Sequence, residues 1–174
     1  MSQNEFIIGE LVSYGTNGLC TIENIEMMSM VSDEPEMPYY VLKPESSSLS
    51  TVYVPMHNEK LVSRMRKLLT PEEIKQMVSD TVTEQIKWNN DRRYRNDSFH
   101  NILNNGVSKD MLLMIQCIEK RKEDLTVEGK KLPTTDTTTL KQAERLVSEE
   151  FSKVLGIDKD QIEDYVLSII ESIE

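Results

Sequence analysis

A chain of 174 residues, 38% of them hydrophobic, has the material for one domain of ordinary size or two small ones. Its formal charge of −10 excludes a protein that coats nucleic acid through bulk charge, because neutralising phosphate needs positive charge. No apolar run reaches the ~20 residues of a membrane span, and the opening MSQNEFIIGELVSYG meets polar residues too soon for a signal segment, so a soluble cytoplasmic chain is expected.

From Gly9 to Arg66 the apolar and β-branched residues come in short runs broken by turn residues, the pattern of a small all-β unit. Glu10 to Tyr14 reads as the first strand and Leu19 to Glu26 as the second. Between them Gly15-Thr16-Asn17-Gly18 is a turn whose glycines and asparagine tolerate positive φ. Met27 to Pro38, acidic and holding two prolines, is a loop. Tyr39 to Lys43 makes a third strand, Pro44 to Ser48 a turn, Thr51 to Pro55 a fourth strand and Lys60 to Ser63 a short fifth. Five short strands in so few residues predict a Tudor- or SH3-like β-barrel.

Composition changes at Thr70-Pro71-Glu72-Glu73, which combines a capping threonine, proline at the first helical position and glutamate three residues after the cap. The domains are therefore placed at 1–69 and 70–174, an α+β chain with a C-terminal all-α bundle of about five helices. Ile74, Met77, Val78, Val82 and Ile86 carry the first helical spacing, and Tyr94, Phe99, Ile102 and Leu103 the second, ended by Asn104-Asn105-Gly106. Ser108 is placed as the cap of a third helix running to about Asp124, apolar over more than one face and so central. Thr134 to Thr139 reads as a polar loop and cap. Leu140, Ala143, Val147, Phe151 and Val154 form the stripe of a fourth helix ended by Gly156, and a fifth starts at Asp158.

His57 and His100 stand alone, Cys20 and Cys117 lack further ligands at metal spacing, and no phosphate loop or nucleophile elbow is present. No catalytic residue, metal or cofactor is expected, and function is expected to be binding, not enzymatic. Charge is uneven: ten Lys and Arg against seven acids from Lys87 to Lys131, but four against nine from Leu140 onward. That basic middle holds the one tryptophan, Trp88, beside Arg92, Arg93, Tyr94 and Arg95. The residues alone leave two readings open. Trp88 is either a core anchor between helices, as in a protein-interaction adaptor that touches no DNA, or a displayed ring that stacks on or wedges against nucleic acid. A second binding feature is the Thr51 to Pro55 strand, an edge able to pair with a partner's strand.

Phe6-x-x-Gly9-Glu10-x-Val12-x-Tyr14-Gly15-Thr16-Asn17-Gly18, Tyr39-Tyr40-Val41-Leu42-Lys43-Pro44, Val54-Pro55 and Asn58-Glu59-Lys60-Leu61-Val62 resemble the RNA-polymerase-interacting domain of the CarD/CdnL transcription regulators, shared with the transcription-repair coupling factor. The helical half is similar too, with a tryptophan before a basic run, Lys120-Arg121-Lys122, Gly129-Lys130-Lys131 and Leu155-Gly156-Ile157. The resemblance implies a bacterial regulator that pairs a strand with the polymerase β subunit, with Met28, Thr51, Tyr53 and Pro55 at the contact. Met28 and Tyr53 stand where some members carry arginine, so an apolar contact through Tyr53 is expected. It further implies that Trp88 wedges into the minor groove of promoter DNA at the upstream edge of the melted bubble, modulating open-complex stability. Lys87, Arg92, Arg93, Arg95, Lys130 and Lys131 would then meet the backbone with little sequence specificity. A weak DNA contact suffices when the polymerase tether raises local concentration, which reconciles it with the net charge.

Overall fold

The computed structural model describes residues 6–173 and divides into two compact units, 1–68 and 69–174. In the first, five strands form one antiparallel sheet: β1 (Leu11–Tyr14), β2 (Leu19–Met28), β3 (Met37–Pro44), β4 (Val52–Pro55) and β5 (Met65–Lys67). The order is β4-β3-β2-β1-β5. No pairing joins β4 to β5 among the described residues, so the expected barrel does not close. The physical reason lies in what the chain does between those two edges. Asn58 accepts a hydrogen bond from the Leu61 N–H at 3.1 Å and caps a one-turn helix, α1 (Glu59–Val62), where a fifth strand was expected. The strand that follows has three residues, too few to reach round.

β2 and β3 outrun the expected strands and leave only residues 29–36 as loop. Their register shifts between Ile22 and Asn24, where Glu23 is the extra residue of a β-bulge. This keeps Ile22 and Ile25, three positions apart, on one face: Ile22 lies opposite Leu42 and Ile25 opposite Tyr40. On that face Ile22, Leu42 and Tyr40, with Val12, Cys20 and Val54, form the core, closed by Phe6 packed edge-on against Tyr40 at 6.1 Å, while Ile25 stays exposed beyond it.

The second unit holds α2 (Pro71–Asp80), α3 (Arg92–Asn105), α4 (Ser108–Val127), α5 (Thr134–Leu155) and α6 (Ile162–Glu171), with a short 3-10 turn at Lys159–Gln161. The capping box forms as its residues dictate: the Thr70 hydroxyl accepts from the Glu73 N–H at 3.2 Å and the Glu73 carboxylate from the Thr70 N–H at 2.7 Å. Met111, Leu112, Met114, Cys117 and Ile118 of α4 meet Leu140, Ala143, Val147 and Phe151 of α5 in one core with Ile74, Val78, Phe99, Leu103, Ile162 and Ile169. Gly106 and Gly156 take left-handed φ of 68° and 66° where α3 and α5 end, as a C-terminal glycine does without a Cβ clash.

Three helix expectations need correction. α2 stops at Asp80, so Val82 and Ile86 lie in the irregular segment that follows; the buried Thr81 hydroxyl donates to the Val78 carbonyl there. Thr134 to Thr139 is helical, and the hydroxyls of Thr137 and Thr138 find acceptors one turn back, on the carbonyls of Pro133 and Thr134. Ser108 does not cap α4. It lies inside the helix and donates to the buried Glu150 carboxylate at 2.7 Å, the other oxygen of which accepts from the Leu69 N–H.

Candidate partner and nucleic-acid interfaces

β4 is one end of the sheet. Along it the side chains alternate: Val54 is buried, while Thr51 and Tyr53 are exposed and Pro55 is half-buried. Cross-strand rows run Asn24–Val41–Tyr53, Glu26–Tyr39–Pro55 and Met28–Met37, all on the face opposite the core. Three of the four residues expected at a polymerase contact, Met28, Tyr53 and Pro55, thus share one face, and the fourth, Thr51, is exposed just before β4. Tyr39 is held there by an edge-on contact with His57 at 6.5 Å, and Tyr53 keeps 42% of its surface exposed. A free strand edge beside an apolar-aromatic face is what strand addition by a partner uses: main-chain bonds for affinity, side-chain contacts for selection.

Trp88 sits in the irregular segment leading into α3, and of the expected contact residues only Arg95 is brought against its ring. The ring is half-buried, packed against the core through Phe99 at 6.4 Å. The Arg95 guanidinium carbon lies 4.1 Å from the ring centroid and that of Arg121 5.8 Å, both within cation–π range. Arg95 itself is buried. Its Nε and Nη2 donate to the two Asp136 carboxylate oxygens at 3.0 and 2.9 Å, and its Nη1 to the Asn89 carbonyl at 2.7 Å. Asp136 is equally buried, in the first turn of α5, where the helix dipole favours an anion. Asn89 and Asp91 shape the approach: the Asn89 side chain accepts from the Asp91 N–H, and Asp91 caps α3 by accepting from the Tyr94 N–H at 3.1 Å.

Arg95 is therefore not on the surface where the sequence reading placed it. It shares with Phe99 and Leu103 the i, i+4, i+8 stripe that α3 turns inward, whereas Tyr94, expected among the apolar residues, is 61% exposed. Lys87, Arg92, Arg93, Lys130 and Lys131 are exposed. Arg92 donates to the Thr135 hydroxyl at 3.1 Å, which ties the start of α3 to the start of α5, and Lys130 pairs with Glu128 at 2.8 Å, holding that carboxyl below its usual range. Arg121 stands beside this loop, since its charge also bears on Glu128, and its buried Nε has no hydrogen-bond partner among the described residues. Asp136, Asn89 and Arg121 had no site role in the sequence reading. Asp136 was detectable as an acid four residues before Leu140, on the apolar stripe of α5.

Cys20 and Cys117 are free and buried. Burial, with Glu45 adding, pushes the Cys20 thiol up to about 12, and burial also raises Cys117, which has Arg95 and Asp136 as neighbours. Neither holds the thiolate that reactivity requires. Among the described residues no cluster of His, Cys, Asp and Glu could hold a metal ion, and no helix is long and apolar enough to cross a membrane.

Among the described residues β4 pairs on one side only, which leaves an edge strand beside an outward aromatic face. Residues 6–69 match the CarD-like/TRCF RID domain family. The N-terminal unit is accordingly a CarD-like RNA-polymerase-interacting domain, of the kind shared with the transcription-repair coupling factor. No curated protein matches the chain.

Proposed function

We propose that this protein is a non-enzymatic transcription regulator that docks on the RNA polymerase β subunit through its sheet and touches promoter DNA with the Trp88 end of its helical unit. The observation that carries the DNA half is the setting of Trp88: the one indole of the chain, set against the guanidinium groups of Arg95 and Arg121 and close in sequence to the exposed Lys87, Arg92 and Arg93. A ring partly inserted at the upstream edge of the bubble costs a few kcal/mol of unstacking, offset by contacts to the distorted backbone. In this reading Arg92 and Arg93 meet phosphate, and Arg121 takes the position first assigned to Arg95, whose charge is already neutralised by Asp136. The edge strand β4 with Tyr53 supplies the polymerase contact. Its main-chain groups and aromatic ring do not depend on the arginines that some relatives carry there.

The test is Trp88→Ala in the full chain. Polymerase pull-down should be retained and the effect on open-complex lifetime lost after competitor challenge; a lifetime that does not change would remove the wedge. A second reading rests on the contact of Trp88 with Phe99: an adaptor in which the ring only anchors α3. That reading predicts unfolding of the helices by the same substitution and no DNA crosslink to the helical unit.

A further inference from the structure

The Arg95–Asp136 pair is costly to build, since both groups are nearly fully removed from water, and a hydrophobic pair of similar volume would often serve stability as well or better. Its geometry suggests what it does instead. Asp136 takes both oxygens to one guanidinium in a fork, the Asn89 carbonyl takes the remaining nitrogen, and these three bonds leave the guanidinium plane no freedom to turn. That same plane covers the Trp88 ring at 4.1 Å, while Phe99 meets the ring from another side at an interplanar angle of 63°. Asn89 follows Trp88 directly, so the bond to its carbonyl also fixes the backbone that carries the indole.

We infer that Arg95 and Asp136 are positioning residues for Trp88: the pair covers the indole beside Arg95 and sets its tilt, so that nucleic acid meets its remaining exposed edge and not its whole plane. This deepens the proposed DNA contact and rests on it. A ring inserted edge-first parts a base step without lying between the bases, which is the action of a wedge, whereas a ring with both faces free would intercalate. Holding the ring before DNA arrives also removes the entropy of ordering it on binding. The weak tethered contact of an acidic protein depends on that saving.

Trp88 is the only tryptophan, so its spectroscopy reports on this site alone. Two variants separate positioning from folding: Asp136→Asn, and the double variant Arg95→Met with Asp136→Leu, which keeps the buried volume apolar and the helices packed. In the free full-length protein, both should lose the near-UV circular dichroism of the indole and show about a twofold rise in its acrylamide quenching constant, with far-UV helix content unchanged. On promoter complexes the double variant should reduce the effect on open-complex lifetime to the level of Trp88→Ala. A folded double variant that keeps wild-type dichroism and quenching would overturn the inference. So would one that frees the indole yet retains the full lifetime effect. If Trp88→Ala itself leaves the lifetime unchanged, the DNA reading fails, and the dichroism and quenching still decide separately whether the pair holds the ring.

Discussion

Tyr53 and Trp88 are the aromatics at the two candidate contacts, and the chain treats them in opposite ways. Tyr53 stands on an edge strand with 42% of its surface in water, held by the register of β4 on β3. Trp88 is half-buried, in irregular backbone, and held by side chains: Arg95 over the ring, Phe99 at its side and Arg121 nearby. The difference teaches where each surface keeps its specificity. A sheet edge is ready-made because its main-chain groups are already aligned, so the aromatic beside it needs no support of its own. The Trp88 ring stands in irregular backbone without such a template, and buried side chains surround it.

The comparison breaks most sharply if Asp136→Ala is tolerated. Stranding the Arg95 cation in the core should cost the helical unit about 3–5 kcal/mol, read in urea denaturation by Trp88 fluorescence. Tyr53→Ala, by contrast, should shift stability by no more than about 0.5 kcal/mol while weakening polymerase pull-down. Within the sheet, Leu42→Ala, fully buried opposite Ile22, should cost about 2–5 kcal/mol, showing that the edge aromatic and not the core is the dispensable part.

The sheet should also carry an alkaline sensitivity. Cys20 keeps its proton in the folded state to about 12 but loses it near the ordinary thiol value of 9.0 when unfolded. Its contribution is therefore complete below pH 9 and is lost as pH rises toward 12, and the buried Tyr14 phenol, also raised, acts in the same direction. Cys20→Ala should flatten the fall in stability of the sheet over that window in pH-dependent denaturation. Removing the Thr70 cap should cost the helical unit about 1 kcal/mol. The smallest stability effect belongs to Arg93→Ala, near zero for an exposed side chain. If Arg93 meets phosphate, the slope of log affinity against log salt should fall by about one.

Much of the architecture was legible because the local signals agreed with one another. The strand runs of the first unit, the box at Thr70 and the glycines after α3 and α5 each have a mechanism that operates over four residues or fewer. The misreadings came where a short polar sequence served two structures. Lys60 to Ser63 reads as a short strand, and Asn58 instead caps a one-turn helix there. Six threonine-rich residues read as a loop and became the first turns of α5, with the hydroxyls of Thr137 and Thr138 bonded one turn back. The candidate site was half legible. Trp88 and its basic setting were visible, but Arg95 was counted as a surface charge although its spacing to Phe99 and Leu103 put it on the inward stripe.

By itself, the sequence determined the change from strands to helices near Leu69, the residues of both cores and the singular tryptophan in a basic stretch, because hydrophobic periodicity and caps are local properties. Only the tertiary structure decided which arginine is spent inside and which remain outside. Asp136 lies 41 residues from Arg95, and nothing in either segment names the other as its partner. Packing α3 against α5 makes that pair, and its guanidinium lies over the Trp88 ring.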